Sequence, residues 1–423
     1  MIERQECDVV VVGGGAAGMA GALACHEQGL RVTVIEREES LGGILLQCIH
    51  NGFGLHHFGE ELTGPEYALR FRQSVEESGI HVCCRTTAFR LEDKGSYRSV
   101  MTCSGEHGVR EYRAKAVILS VGCRERNRGN IGIPGTRPAG VFTAGLAQRL
   151  TNIDGYIPGR RVVIVGSGDI GLIMARRMTW LGAKVLGVVE IMPTCSGLLR
   201  NVVQCLEDFD IPLYLGHVVT KIIGADRVRA VEVGPMRDGE VDTSAVFRLD
   251  CDTLLLSVGL VPEHDLAQDA QAEISPDTNG PIVDANWMTS VPGVFACGNG
   301  LHVHDLVDDV SHESRLCGLS VADFVRVGGF DNEQLTVNAG TNVKYVMPGK
   351  IASGRGCSLS FRSLIECEKA TCTLRQGPNI LVSKTLRFVR PAEMIRWDIT
   401  TEKLKGACGE PVELSLGKAT NDE

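Results

Sequence analysis

The sequence lacks several features that mark common classes of protein. No uninterrupted apolar stretch approaches the roughly 18 residues of a membrane-spanning helix, so we expect no integral membrane segment. The 43 basic residues are outnumbered by 52 acidic ones, and a net charge of -9 disfavours nucleic acid as a partner. Charged residues lead directly into the first apolar run, which is not the pattern of a signal peptide. We therefore expect a cytoplasmic protein.

Paired cysteine motifs are also absent, although cysteine itself is plentiful. None of the 16 cysteines is spaced Cys-x-x-Cys with another, and without an export signal we expect free thiols rather than disulfides. Cys367 and Cys372 are separated by four residues, but a plant-type iron–sulfur site needs another cysteine soon after the second. No histidine occurs after His312. The sequence therefore predicts no metal centre.

What is present is a glycine-rich motif near the start of the chain. Residues 9–12 are four valines, predicted as a buried strand that ends at Gly13, and a helix of small residues follows. In such a turn Gly13 permits the tight bend, Gly15 lets backbone N–H groups approach a pyrophosphate, and Gly18 allows close helix packing. Glu36 ends the next predicted strand, where an acid binds ribose hydroxyls. The motif predicts a dinucleotide site.

The same pattern occurs a second time later in the chain. Residues 161–165 read as a strand, and Gly166, Gly168 and Gly171 repeat the glycine spacing of the first motif. A duplicated motif is far more specific than one copy, and it predicts two dinucleotides. Glu190 ends the following strand and would repel a 2′-phosphate, so we expect NAD rather than NADP. A glycine turn that has lost its ligand remains the alternative.

The segment after Glu36 supplies further candidate residues for the first site. Arg37 follows the acid, and the adjacent Gly42 and Gly43 offer a second place where backbone can lie against a flat or phosphorylated ligand. We include these three residues among the candidate cofactor-binding residues.

Cys48 is the candidate reactive group of this segment. Thiol–disulfide exchange needs two sulfurs in reach of each other, and this segment has only one cysteine. Cys48 with His50 could form a reactive thiol beside a base, and both are candidate catalytic residues, whereas a buried and inert thiol is the alternative. The nearby His56 and His57 indicate a pocket wall rather than a metal site, since no acid or thiol has ligand spacing.

Taken together, these motifs resemble the two-dinucleotide flavoprotein superfamily over residues 7–325. Residues 115–122 resemble its Ala-Thr-Gly strand end, and residues 294–300 resemble the Gly-Asp strand end that holds the ribityl chain of FAD. The resemblance implies that Gly122, Gly298 and Asn299 contact FAD bound at the first motif. It also implies that Asn299, which replaces the usual Asp, accepts a ribityl hydroxyl through its amide oxygen.

The loop after Asn299 and the helix that follows it belong to the same resemblance. It implies that His302 and His304 line the flavin pocket rather than bind metal, because a third and a fourth ligand are missing from the pattern. It also implies that the N-terminus of the next helix points at the N1 edge of the flavin, where reduction places negative charge.

The resemblance excludes one well-known activity of this superfamily. Its disulfide reductases of the glutathione reductase type carry a Cys-x-x-x-x-Cys pair in the segment around Cys48, and they take a His-Glu base from a C-terminal domain. The pair is missing here, and so is any C-terminal histidine. We therefore expect an oxidoreductase of the pyridine nucleotide-disulfide oxidoreductase type that lacks the redox-active disulfide.

A narrower resemblance rests on residues 41–54, 62–67 and 298–308. These stretches are similar to a bacterial and archaeal group of NAD(P)/FAD-dependent oxidoreductases, often encoded beside a flavoprotein like anaerobic glycerol-3-phosphate dehydrogenase and a small cysteine-containing protein. The broader class includes alpha subunits of opine and amino-acid oxidases and of hydrogen cyanide synthase. The resemblance implies FAD, NAD(H), and work within an oligomer or hetero-complex that contains a partner flavoprotein dehydrogenase or a small redox protein.

The predicted architecture follows from these observations and from chain length. At 423 residues the chain exceeds a single compact core. We expect an α/β fold with two Rossmann-like, glutathione reductase-like dinucleotide-binding domains, the NAD domain inserted in the FAD domain. The FAD domain is predicted over 1–125 and 248–330, and the NAD domain over 126–247. Alternating apolar residues between turns predict a small β-rich domain over 331–423.

Three functions remain open from the sequence. The favoured one is hydride transfer between NAD(H) and FAD, with electrons exchanged with a partner dehydrogenase similar to glycerol-3-phosphate dehydrogenase. This step needs a nicotinamide stacked on a flavin and no acid–base residue. The second is an NADH oxidase or peroxidase in which Cys48 cycles through sulfenic acid. The third is an FAD-containing structural or electron-relay subunit of a heteromeric amine or opine oxidase.

Overall fold

The computed structural model describes residues 2–330 and 333–418. The chain divides into two compact units, one formed by Met1–Cys123 with Pro262–Glu423 and the other by Arg124–Val261. The predicted β-rich domain includes 331–332 and 419–423, which lie outside the described residues. Within the described ranges, no helix is long and apolar enough to cross a membrane.

A five-stranded parallel sheet forms the centre of the first unit. Its middle strand is the predicted run of valines, and all four are buried because other elements cover both faces of the sheet. The helices Ala16–Glu27 and Val307–Val327 pack together on one face. The strands, in sheet order, are Val294–Ala296, Ala116–Leu119, Val9–Val12, Val32–Ile35 and His81–Cys83.

The other face of this sheet packs against a second sheet of the same unit. In sheet order its strands are Glu3–Glu6, Gly108–Ala114, Arg98–Ser104 and Thr86–Asp93. Before residue 330, this unit also contains the strand pair Asn51–Phe53 and Leu62–Thr63, the helices Gly64–Ser78 and Asp265–Asp269, and the 3-10 turns Gly43–Gln47 and Gly298–Gly300.

The second unit repeats this plan around another five-stranded parallel sheet. In sheet order its strands are Val141–Thr143, Thr253–Leu256, Arg161–Val165, Lys184–Glu190 and Leu213–Leu215. Its helices are Arg128–Ile131, Ala144–Asn152, Asp169–Trp180 and Leu199–Cys205. An antiparallel sheet contains His217–Gly224, Val228–Arg237, Glu240–Val241 and Phe247–Leu249. The strands Cys123–Glu125 and Leu260–Pro262 span the two unit boundaries.

One predicted boundary differs from the structure. The sequence pattern assigned residues 248–259 to the first domain, but the strand Thr253–Leu256 pairs in parallel with Arg161–Val165. Leu254 and Leu255 are fully buried there among apolar side chains of the second unit. The second unit therefore extends to Val261 rather than to residue 247. A buried, glycine-ended strand fits either parallel sheet, so its pattern alone does not select one.

The C-terminal segment forms strands, as the alternating pattern predicts. It has an apolar cluster of its own, yet it belongs to the same compact unit as the first parallel sheet. Tyr345 and Met347 join the apolar cluster of that sheet. The strands are Gln334–Ala339, Val343–Met347, Lys350–Ala352, Cys357–Ser363, Ala370–Gln376, Asn379–Leu386, Met394–Ile399 and Val412–Lys418, with a short helix at Thr401–Leu404.

Candidate cofactor-binding site

The first glycine turn is closely packed at two glycines and open at the third. A Cβ added to Gly13 would lie 2.4 Å from the carbonyl oxygen of Ser120, and one on Gly18 would lie 1.8 Å from the Gly13 oxygen. A Cβ on Gly15 would meet no heavy atom within 4 Å. Because the helix Ala16–Glu27 begins directly after Gly15, the open side lies at a helix N-terminus, where N–H groups and the dipole favour an anion.

Gly42 and Gly43 lie against the same turn. The Gly42 N–H donates a hydrogen bond of 2.8 Å to the Gly14 oxygen. A Cβ on Gly43 would lie 3.1 Å from the Gly15 Cα. The structure therefore brings Gly42 and Gly43 against the first glycine turn, where the sequence also placed them. The Arg37 side chain, which the sequence placed at the same site, is exposed.

Glu36 is buried beneath the turn and binds its backbone. One carboxylate oxygen accepts a hydrogen bond of 2.6 Å from the Gly14 N–H, and the other accepts one of 2.8 Å from the Glu38 N–H. Each oxygen has a further lone pair, so the contact of Glu36 with a ribose stays a prediction. The observed contacts give this acid a role in holding the turn.

The second glycine turn has the same internal packing as the first. A Cβ on Gly166 would lie 2.0 Å from the Ser257 oxygen, and one on Gly171 would lie 2.7 Å from the Gly166 oxygen. At Gly168 the nearest heavy atom is the Ser257 hydroxyl at 3.8 Å. The middle glycine is again the open one.

Glu190 matches Glu36 in its contacts. One of its oxygens accepts hydrogen bonds from the Ser167 N–H at 2.9 Å and the Ser167 hydroxyl at 2.6 Å. The other oxygen accepts from the Met192 N–H at 2.9 Å. The duplication thus extends from the glycines to the buried acid that holds each turn.

A third element of the duplication was visible in the sequence but was interpreted differently. The tripeptide Ser-Val-Gly ends the strands at 120–122 and at 257–259, and in each unit its serine oxygen contacts the first glycine of the turn. Identical strand ends are the signal that would have assigned residues 257–259 to the second unit.

The loop at Gly298 joins the first turn within the first unit. A Cβ on Gly298 would lie 2.7 Å from the Ala17 Cβ, and one on Gly300 would lie 3.3 Å from the Gly122 nitrogen. Gly298 therefore adjoins the helix Ala16–Glu27, and Gly122 adjoins the 3-10 turn Gly298–Gly300. The sequence predicted these two glycines from separate strand ends. This arrangement fits one extended ligand that contacts several strand ends.

The Asn299 side chain contacts the loop that follows it, and its contact with a ribityl hydroxyl stays a prediction. Its Oδ1 accepts a hydrogen bond of 3.0 Å from the His304 N–H and lies 3.2 Å from the His304 Nδ1. The oxygen expected to accept a ribityl hydroxyl is thus engaged within the loop. The amide nitrogen of Asn299 is the group of this side chain that donates.

His302 and His304 converge on a third side chain that the sequence pattern did not reveal. The Nε2 atoms of these histidines lie 2.9 Å and 3.3 Å from the same carboxylate oxygen of Glu313. The other oxygen of Glu313 accepts a hydrogen bond of 2.9 Å from the Gly298 N–H. Glu313 therefore adds a third potential ligand atom beside the two histidines. Glu313 lies on the next helix, so the spacing of residues around the two histidines does not predict its contact with them.

Burial and mutual charge shift the pKa values of these three groups. Burial opposes ionisation of Glu313, but His304 and His302 overcome it and hold the pKa of Glu313 well below its usual range. Burial, together with His304, lowers the pKa of His302. Burial also disfavours charge on His304, yet Glu313 raises the pKa of His304.

Cys48 is partly buried, and its thiol contacts the backbone. Burial raises the pKa of Cys48 to about 12. Its Sγ donates to the Ile44 oxygen at 3.3 Å, while the Nδ1 of His50 is hydrogen-bonded to the Asn51 oxygen at 3.0 Å. A thiolate is the nucleophilic form of cysteine. The raised pKa therefore argues against Cys48 as a nucleophile at neutral pH.

The segment around His57 packs on the start of the helix Val307–Val327. Asp308 lies in the first turn of that helix, and its carboxylate accepts hydrogen bonds of 3.2 Å from the N–H groups of Gly54 and His57. The His57 ring lies 4.6 Å from the ring of Phe58, centroid to centroid. These contacts agree with a pocket wall.

Two buried cysteines beside the site were not singled out from the sequence. Cys297 precedes Gly298, and the thiol of Cys317 lies near the thiol of Cys297. Burial raises the pKa of Cys317 well above its ordinary value. All 16 cysteines lie in the described ranges and are free thiols there. Cys297 and Cys317 are nevertheless close enough to matter for any argument about disulfides.

Comparison with known proteins defines the class. The family model for pyridine nucleotide-disulphide oxidoreductases matches residues 7–312. The chain belongs to this family, whose members bind FAD and NAD(P)H and carry out oxidation and reduction.

Individual relatives are distant and longer than the matched region. The chain is 28% identical over 309 residues to NADH dehydrogenase of Ferdinandcohnia aciditolerans, which covers 71% of this chain and 53% of that protein. It is 27% identical over 310 residues to hydrogen cyanide synthase subunit HcnB of Pseudomonas protegens, covering 69% and 65%. It is 25% identical over 317 residues to an opine oxidase subunit of Agrobacterium tumefaciens, covering 69% and 61%. The chain thus spans less than two thirds of these relatives.

Solved structures confirm the fold. Thioredoxin reductase of T. acidophilum superposes with a TM-score of 0.61 at 22% identity, covering 75% of this chain and 98% of that one. Thioredoxin reductase of Lactococcus lactis gives 0.62 at 20% identity, covering 76% and 99%. The predicted α/β fold with two Rossmann-like domains is confirmed.

Proposed function

We propose that this flavin-dependent oxidoreductase binds FAD at the first glycine turn and NAD(H) at the second. Its work is hydride transfer between them, with electrons exchanged with a partner dehydrogenase. The observation that carries the proposal is the duplication: two turns with the same closed glycines, the same open glycine and the same buried acid. Two equivalent turns favour two dinucleotides over one.

The residues of the first unit fit FAD. The open side at Gly15 and the helix N-terminus after it suit the pyrophosphate, and Gly42 and Gly43 extend that backbone surface. Gly298 and Asn299 adjoin the same helix, with the Asn299 amide nitrogen able to donate toward the bound cofactor. When bound, FAD supplies the ring that takes up a hydride.

The residues of the second unit fit NAD(H) in the same way. Gly168 leaves the turn open at the N-terminus of the helix Asp169–Trp180. Glu190 lies at the end of the neighbouring strand and brings a negative charge, which disfavours the additional phosphate of NADP. The chain's role in the transfer is binding and orientation, because no proton has to move in that step.

The proposal also includes electron exchange between the flavin and another protein. Cys48 has neither a second cysteine in its segment nor a lowered pKa, so dithiol chemistry at that position is not supported. The relatives from opine oxidase and from hydrogen cyanide synthase are both named as subunits, which supports work within a complex. The partner we propose is a flavoprotein similar to glycerol-3-phosphate dehydrogenase or a small redox protein.

The relatives from opine oxidase and hydrogen cyanide synthase also favour a second candidate function. The chain would then be an FAD-containing structural or relay subunit of a heteromeric amine or opine oxidase, without turnover of NAD(H). This alternative shares the first site with the favoured proposal and differs only at the second. An assay of NADH turnover therefore separates the two.

The experiment uses the FAD-loaded, full-length protein with NADH and different acceptors. We expect rapid reduction of an artificial dye acceptor, which stands in for a partner redox centre, and little reduction of hydrogen peroxide or of an aromatic disulfide. Failure of NADH to reduce any acceptor would favour the relay subunit. Fast peroxide reduction that is lost in Cys48→Ser would contradict the proposal in favour of a peroxidase.

A further inference from the structure

We propose that His302, His304 and Glu313 form a binding site for a divalent transition-metal ion. Their potential ligand atoms, two imidazole nitrogens and one carboxylate oxygen, all lie within 4.8 Å of one another. The site lies within the first unit and does not depend on the function proposed for either glycine turn.

The spacing of the ligand atoms agrees with coordination of one ion. The Nε2 atoms of His302 and His304 lie 2.9 Å and 3.3 Å from the same Glu313 oxygen. Two ligand atoms each about 2.1 Å from a zinc ion are roughly 3.0 to 3.4 Å apart at coordination angles between square and tetrahedral. The observed distances of 2.9 Å and 3.3 Å are close to these values, so small shifts of the side chains would bring the atoms to coordination distance of one ion.

The contacts around His304 are those that a metal-bound histidine needs. A metal-bound histidine donates its other ring N–H to an acceptor, which fixes the tautomer and orients the ring. His304 has such an acceptor, because its Nδ1 lies 3.2 Å from the Asn299 Oδ1. A histidine that donates through Nδ1–H carries its lone pair on Nε2, the atom that faces Glu313.

His302 differs from His304 at its other ring nitrogen. The Nδ1 of His302 is buried and has no hydrogen-bond partner among the described residues. The His302 side chain is only 1% exposed, so water is a poor substitute. An ion at Nε2 would leave the Nδ1 of His302 without a partner, so His304 is the better oriented of the two histidines for binding a metal.

The C-terminal segment braces the loop that carries both histidines. The Arg362 guanidinium donates a hydrogen bond of 3.1 Å to the Val303 oxygen and pairs with Asp305. Asp305 also accepts a hydrogen bond of 2.7 Å from the Met394 N–H. Glu313 is held from the other side by the Gly298 N–H. A braced set of ligands loses little entropy on binding, which favours affinity.

The ligand types define the class of ion. Two imidazoles with one carboxylate suit Zn²⁺ or Fe²⁺, whereas Mg²⁺ and Ca²⁺ prefer sites made of oxygen alone.

The test uses the full-length protein, treated with a chelator and then dialysed against Zn²⁺ or Co²⁺. Metal analysis should give one ion per chain for the wild type, and Glu313→Gln and His304→Asn should each bind at least about tenfold more weakly. His312→Asn is the matched control, because His312 lies on the same helix but is exposed, and it should bind as the wild type does.

Two readouts keep the result interpretable. The visible spectrum of bound Co²⁺ distinguishes imidazole and carboxylate ligands from thiolates, which matters in a chain with 16 cysteines. Zn²⁺ should raise the melting temperature of the wild type and of His312→Asn but not that of Glu313→Gln, and each variant's circular dichroism shows whether it has folded. A wild type that binds no ion, or a folded Glu313→Gln that binds as well as the wild type, would overturn the proposal.

Discussion

Gly15 and Gly168 differ from the other glycines of their turns, because a side chain at either position has room within the protein. A valine at Gly15 or Gly168 should therefore leave the fold intact and project where we place the ligand. We expect Gly15→Val to lower FAD content about tenfold or more, and Gly168→Val to retain FAD but raise the NADH concentration needed for half-maximal flavin reduction by a similar factor.

The flavin-to-protein absorbance ratio and an NADH titration measure these two effects. Gly105→Val is the matched control, since Gly105 is exposed and, like Gly15, has no heavy atom within 4 Å of an added Cβ. Loss of FAD from Gly168→Val with normal FAD in Gly15→Val would reverse the assignment of the two turns.

The protonation state of Cys48 gives a second prediction for a single residue. With a pKa of about 12, roughly one Cys48 thiol in 100,000 is ionised at pH 7. We expect Cys48 to be alkylated at least about a hundredfold more slowly than the exposed Cys103, with a rate that rises as pH increases toward 12. Mass spectrometry of labelled peptides measures both rates. Fast labelling of Cys48 at neutral pH would restore the thiol mechanism.

Secondary structure and glycine motifs could be predicted because their signals are local. The valines at 9–12 and the glycines that follow specify strand, turn and helix through neighbours in sequence alone. Sheet membership is not local, and the strand Thr253–Leu256 was assigned to the wrong sheet for that reason. The His–Glu cluster was missed for a related reason, since Glu313 reaches the histidines only after the helix folds back over the loop.

The bracing of the 302–305 loop by the C-terminal segment is a contact between elements and can be tested as one. Arg362 is mostly buried and donates to Val303, Tyr345 and Ala392 besides pairing with Asp305. We expect Arg362→Leu to lower the free energy of unfolding by about 3 kcal/mol, because Asp305 loses its cationic partner and the carbonyl oxygens of Val303 and Ala392 lose a donor.

Chemical denaturation measures this change. Arg390→Leu serves as the control, since the Arg390 side chain is 40% exposed and its pair with Glu366 should contribute less than about 1 kcal/mol. Equal and small effects of the two substitutions would mean that Arg362 does not brace the loop.

For the whole molecule, the duplicated turns favour two bound cofactors. The segment around Cys48 has one cysteine with a raised pKa, so we expect the flavin's electrons to leave by a route other than a disulfide in that segment. The neighbouring thiols of Cys297 and Cys317, with Cys25 close to both, are an arrangement near the first site that could supply a disulfide instead. The number of electrons that the FAD-loaded protein accepts separates the two cases. A flavin alone takes two electrons, whereas a flavin coupled to a disulfide takes four.

Anaerobic titration of the FAD-loaded protein with NADH, followed by flavin absorbance, tests hydride transfer between the two cofactors most directly. We predict rapid bleaching of the flavin that is complete at one NADH per FAD, with no further uptake. An unchanged spectrum would contradict hydride transfer from NADH and leave the relay subunit. A requirement for two NADH per FAD, reduced to one in Cys317→Ser, would contradict the absence of a redox-active disulfide.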